Sequence, residues 1–240
     1  MRFATALLGG LLLITSGTIV FAQDGRARSI DIEMGVALPT GEFAEVDTEE
    51  AGLARPGVAI SIANRLALQE TFGLTLTTMF NVNGVDPEAT SDYLDDLRTS
   101  YPSVTWSIDT STWLMATVLV GPYFSVRSGD LELVLKGGIG ASLAVSPRLE
   151  VTGVSGLNRL VITSESATGT GLALYGGGQL LMHFSDSAAV YTGVSYLRSE
   201  PSFDRDSSLT ENGVKIVTET DSFNQVISFI TIPLGIAYRF

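Results

Sequence analysis

The feature that most constrains this chain is a two-residue alternation of apolar with small or polar side chains, repeated eight times. It is clearest from Ile230 to Phe240. There Ile230, Ile232, Leu234, Ile236, Tyr238 and Phe240 share one face, and Thr231, Pro233, Gly235, Ala237 and Arg239 share the other. A period of two marks an extended strand with two unlike faces. The same pattern runs from Ile30 to Leu38, Val58 to Leu66, Phe72 to Asn81, Leu114 to Val126, Leu131 to Val145, Leu172 to Phe184 and Ala188 to Tyr196. Segments of roughly ten residues span a bilayer when tilted. Nothing after Gln23 approaches the ~18 uninterrupted apolar residues that a membrane-spanning helix needs.

The connections alternate too. Gln69-Glu70-Thr71, Ser128-Gly129-Asp130 and Ser185-Asp186-Ser187 are tight turns, whereas Pro39–Pro56, Val82–Ser111, Ser146–Gly169 and Arg198–Ser222 are long and polar. Turns on one side and long loops on the other are the pattern of an outer-membrane barrel. Within the third loop, Leu149–Val154 and Leu160–Ser164 still alternate, which predicts a hairpin projecting past the membrane. Hydrocarbon tolerates no open sheet edge, so the last strand is expected to pair with the first. The predicted fold is an all-β, eight-stranded, antiparallel up-and-down transmembrane β-barrel. Pro122 and Pro233 fall inside strands and lead us to expect local bulges there.

Aromatic residues of outward parity give an independent reading of depth. Phe72, Phe124, Phe184, Tyr238 and Phe240 fall at the turn ends of their strands, and Phe80 and Tyr196 near the loop ends. Two aromatic girdles are expected from that placement.

Composition narrows the function. Residues 1–22 carry a basic start, an apolar run and Val20-x-Ala22, so a secretory signal peptide cleaved before Gln23 is expected, leaving residues 23–240 as the barrel domain. The chain has no cysteine, which excludes disulfides, thiolate metal sites and cysteine nucleophiles. A net charge of −12 argues against nucleic acid as a partner. By the loop boundaries above, 19 of the 26 carboxylates and seven basic residues lie in the long loops. Asp92, Asp95 and Asp96, or Asp204 and Asp206, could gather a divalent cation, but neither spacing is that of an EF-hand. No metal site or cofactor is expected.

Asp31, Glu33, Arg65, Glu132, Lys136 and Arg239 all have inward parity, with Gln179 and His183 of the same parity. The interior of an eight-stranded barrel is just wide enough for side chains to fill, or for one small ligand. Buried charges must pair, so a lumenal network of three cations and three anions is expected. His183 is the only histidine and lies beside the Ser185-Asp186-Ser187 turn. Adjacency alone makes no catalytic triad, and no catalytic residue is expected.

The segments Gly35-Val36-Ala37-Leu38-Pro39-Thr40-Gly41-Glu42-Phe43, Gly121-Pro122-Tyr123 and Ile232-Pro233-Leu234-Gly235-Ile236-Ala237-Tyr238-Arg239-Phe240 resemble the eight-stranded outer-membrane β-barrel domain family, the PorT-like group. The resemblance covers the chain after the leader and makes Pro122 and Pro233 look like family features. It implies that Ile236, Tyr238 and Phe240 form the signal read by the barrel-assembly machinery. The family is functionally diverse, so no activity carries over. The expected protein is a non-enzymatic barrel of the bacterial outer membrane, showing four acidic loops to an extracellular or envelope partner. A small pore, a lipid-modifying barrel enzyme and a soluble lipocalin-like barrel are the alternatives.

Overall fold

The computed structural model describes residues 28–46 and 52–240. The expected leader, residues 1–22, lies outside the described residues. Eight strands form the barrel wall: β1 (Arg28–Pro39), β2 (Ala54–Ala67), β3 (Phe72–Val85), β5 (Trp113–Ser128), β6 (Leu131–Val145), β9 (Thr168–His183), β10 (Ala188–Ser199) and β13 (Ile227–Arg239). Each is antiparallel to the next, and β13 returns to β1 from Ser29↔Arg239 to Pro39↔Phe229. The seam is completed by Arg28 and Phe240, whose backbones exchange two hydrogen bonds. The chain is a closed, eight-stranded, antiparallel β-barrel.

The wall strands outrun the membrane-crossing segments read from the sequence. β2 begins at Ala54, β3 continues to Val85 and β9 starts at Thr168. Their loop-side ends continue into an outer extension of the same sheet, here the outer sheet, built from β4 (Thr105–Thr110), β7 (Leu149–Ser155), β8 (Asn158–Ser164), β11 (Ser202–Glu211) and β12 (Val214–Asn224). These pair in the order β4-β7-β8-β11-β12, and the bridge Ser202↔Thr170 joins β11 to the wall at β9. The hairpin expected near 149–164 is β7–β8. The other members of this outer sheet, and the helix α1 (Pro87–Ser100) that precedes β4, occupy stretches read as polar loop.

The two prolines need correction. The register runs through both without a shift: Val120↔Ile139 and Tyr123↔Lys136 flank Pro122, and Thr192↔Leu234 and Ser195↔Thr231 flank Pro233. Each proline keeps its pairing on one side, with Leu74 and with Gly35, and loses it on the other. A strand residue directs its N–H to only one neighbour, so the missing donor costs one ladder bond and no bulge. At Pro233 the Thr192 hydroxyl donates to the proline carbonyl at 2.9 Å.

Two local features set up the interior. Gly41, at φ +57°, turns the chain after β1 into a 3-10 turn at Gly41–Phe43 and drops Phe43 into the barrel mouth. Left-handed backbone favours glycine at that point. Inside the wall, Gly235 faces Tyr191 across β13 and β10, and a Cβ there would meet the tyrosine ring at 2.4 Å. Gly235→Val is therefore expected to displace the ring and cost about 1–3 kcal/mol. A lowered urea midpoint in lipid vesicles is the expected readout; an unchanged midpoint would show that the ring has room elsewhere.

Candidate functional site: a lumen filled in two layers

The outer face of the wall is a belt of exposed aliphatics, including Ile32, Met34, Ile60, Leu74, Val120, Leu133, Leu174, Val194 and Leu234. Such a face is soluble only in hydrocarbon. A lipocalin-like reading requires the opposite orientation and is excluded. Toward the turn side, Phe72 and Phe124 stand directly opposite each other, Phe184 is two-thirds exposed, and Tyr238 stacks on Phe240 at 6.3 Å. Phe80 and Tyr196 lie outward eight residues up their strands, counted from Phe72 and Ala188. Ile236, Tyr238 and Phe240 line the outer surface of the last strand.

This is a membrane-spanning barrel of the outer-membrane type.

No family model matches the sequence, and no curated protein does. Among solved structures the barrel is similar to Ail, the attachment invasion locus protein of Yersinia pestis, with TM-score 0.48 and 15% identity over 90% of this chain and 99% of that one. A major outer membrane protein from Thermus thermophilus gives TM-score 0.47 and 12% identity, over 89% and 99%. Neisserial surface protein A gives 0.42 and 11%, over 90% and 100%. At these identities the likeness is one of fold alone.

Inside, the turn-side half is charged. Asp31, 1% exposed, is the centre of the cluster. The Arg65 guanidinium donates to its Oδ1 from Nε at 3.2 Å and Nη2 at 3.1 Å, and Lys136 Nζ donates to Oδ2 at 3.1 Å. Arg65 also reaches Glu132 at 3.5 Å, and its guanidinium sits 5.6 Å from the centre of the Tyr123 ring. Glu132 in turn pairs with His183 Nε2 at 2.7 Å. Five strands supply this cluster: β1, β2, β6, β9 and, through Tyr123, β5.

Two of the six charged residues stand apart. Glu33 pairs with no cation among the described residues; its carboxylate accepts from the Ser61 hydroxyl at 2.6 Å and the Gln179 amide at 2.7 Å. Arg239 stays at the turn-side rim, 42% exposed and 3.9 Å from Glu132. His183 faces Glu132 and not its sequence neighbours. Ser185 instead accepts from the Ala188 N–H at 3.0 Å.

The loop-side half carries an apolar cluster beside a few hydrogen-bonded polar side chains such as Asn83 and Ser142, and this layer has no counterpart in the sequence reading. Ala37, Phe43, Met79, Trp113, Met115, Leu119, Leu197, Phe203, Ile227 and Phe229 form one buried cluster. Its spine is a run of rings. Phe43 meets Trp113 edge-on at 5.6 Å, Trp113 meets Phe203 at 6.0 Å, and Phe203 stacks on Phe223 at 5.1 Å. The signal was present: Trp113, Met115, Leu119 and Phe229 are large apolar residues of inward parity in strands whose inner face is elsewhere largely small or polar.

Among the described residues no three His, Asp or Glu side chains gather as a metal site. Asp95 pairs with Arg98 at 2.9 Å; Asp204 accepts from Ser222 and Asp206 from Thr220, each at 2.6 Å.

Proposed function

We propose that this chain is an integral protein of the bacterial outer membrane whose role is structural and interactive: it holds an acidic, folded sheet outside the lipid. The observation that carries this reading is the filled lumen. A charged layer on the turn side and an aromatic layer on the loop side occupy successive levels of one narrow cylinder. In this reading the two layers together close the cylinder to solute. The only histidine is engaged with Glu132, which speaks against a histidine-dependent lipid hydrolase, so the reading is of a non-enzyme.

In this reading the turn side is periplasmic and the loop side extracellular. Phe72, Phe124, Phe184, Phe80 and Tyr196 are interfacial anchors in lipid. Ile236, Tyr238 and Phe240 are the residues that the barrel-assembly machinery reads, and the outer sheet is the surface offered to an extracellular or envelope partner. The finer likeness to the PorT-like group rests on Gly35–Phe43, Gly121–Tyr123 and Ile232–Phe240 and belongs to the same proposal.

Planar-bilayer recording tests it. The reconstituted protein is expected to give no stable conductance steps. Steps of nanosiemens size would overturn the filled-lumen reading in favour of a pore.

A further inference from the structure

The barrel mouth and the outer sheet enclose a cavity of about 240 Å³. Trp113, Phe223 and Leu149 give it an apolar wall, and Arg148 and Arg205 a basic one. The two arginines are not equivalent. Arg148 is neutralised, with Nη2 2.5 Å from Glu150 and Nε 3.5 Å from Glu165. Arg205 makes no ion pair among the described residues, and its Nε is buried without an acceptor. Its guanidinium lies 4.7 Å over the Phe223 ring.

The carboxylates nearest in sequence do not compensate. Asp204 and Asp206 alternate with Arg205 along β11 and so lie on its opposite, exposed face, where they accept from Ser222 and Thr220. Asp221, the cross-strand partner of Arg205, makes no ion pair with it. In a chain of net charge −12, Arg205 is thus a cation held over an aromatic ring at the wall of a cavity, with no ion pair among the described residues.

We infer that this cavity binds a small amphipathic carboxylate, its charge on Arg205 and its apolar body against Trp113 and Phe223. The guanidinium fork matches the geometry of a carboxylate, and the ring spine that ends at Phe223 supplies a preformed apolar surface. The volume lies below the ~300–1,000 Å³ usual for drug-sized ligands. The ligand is accordingly no larger than an aryl- or alkyl-acetate. The inference rests on the outer sheet and holds whether or not the lumen conducts.

The sequence has two tryptophans, so Trp106→Phe leaves Trp113 as the single indole reporter. The purified full chain in neutral detergent is titrated with phenylacetate, phenylacetamide and acetate while Trp113 emission is followed. Phenylacetate is expected to saturate, and the neutral amide and the truncated acid to bind at least about tenfold more weakly, the scale of one charge-assisted hydrogen bond. Arg205→Gln is expected to bring the acid down to the level of the amide, with the heat-shifted gel mobility of the barrel retained. Equal binding of acid and amide to the unaltered cavity would overturn the inference without recourse to any variant at Arg205. So would the absence of saturation by phenylacetate, or full binding after Arg205→Gln.

Discussion

Asp31→Asn is expected to destabilise the barrel by about 3–5 kcal/mol, the cost of leaving buried charge unpaired. Asp31 is all but fully buried and is the acceptor shared by Arg65 and Lys136. Arg65 has a second carboxylate in Glu132, whereas the only ion-pair partner of Lys136 among the described residues is Asp31. The penalty therefore falls on Lys136, whose side chain is 2% exposed. The double variant Asp31→Asn, Lys136→Met should recover a large part of the loss, because removing both members of a buried pair is far cheaper than removing one. Urea titration in lipid vesicles, followed by heat-shifted gel mobility, measures both. A single variant as stable as the parent, or a double variant no better than the single, would show that the cluster is solvated and not a dry lock.

Phe203→Ala should act on a different part of the molecule. Phe203 is buried between Trp113 and Phe223 and is the side chain by which β11 grips the barrel mouth. Deleting a buried phenylalanine costs about 3–5 kcal/mol. Here the loss is expected to be local. The bridge Ser202↔Thr170 and this aromatic contact tie β11 to the wall, while the barrel ladder does not run through Phe203. Hydrogen exchange of the β11 and β12 amides should speed up on the order of a hundredfold or more, with β1, β2 and β6 unchanged. Uniform acceleration in all strands would mean that sheet and barrel form one cooperative unit; no acceleration would mean that Phe203 contributes nothing to the docking.

The barrel was legible in the sequence because lipid imposes one rule on every outward position. Hydrocarbon makes residues such as Leu131, Leu133 and Leu135 uniformly apolar, and the inward Glu132, Val134 and Lys136 then stand out by parity. That rule stops at the membrane surface. Every residue of β12 from Val214 to Ser222 is exposed, so its two faces differ in nothing that selection for burial could mark. β11 alternates only briefly, around Phe203 and Arg205. The helix α1 begins at Asp86-Pro87, a pair well suited to a helix start, within a stretch so polar that it reads as loop.

The interior divides in the same way. Charges at Asp31, Glu33, Arg65, Glu132 and Lys136 announce themselves as inward because nothing else explains them on a strand in lipid. Trp113 and Phe229 are equally inward, yet an apolar residue is unremarkable wherever it falls, and only the pairing of strands brings the rings together. Arg205 was hidden for a third reason. Its interest lies in the carboxylate it lacks, and an unmet charge has no sequence signature.

The spacing of the outward aromatics carries one more consequence. Phe72 and Phe80 are eight residues apart on β3, which at ~3.3 Å per residue and a tilt of ~40° sets their levels about 20 Å apart along the membrane normal. That is short against the ~30 Å of an average hydrocarbon core. A thick bilayer would have to pinch inward around the barrel, at a fraction of a kcal/mol for each ångström of mismatch. If these rings are the proposed interfacial anchors, acyl-chain length is expected to govern how far a membrane must deform around this cylinder.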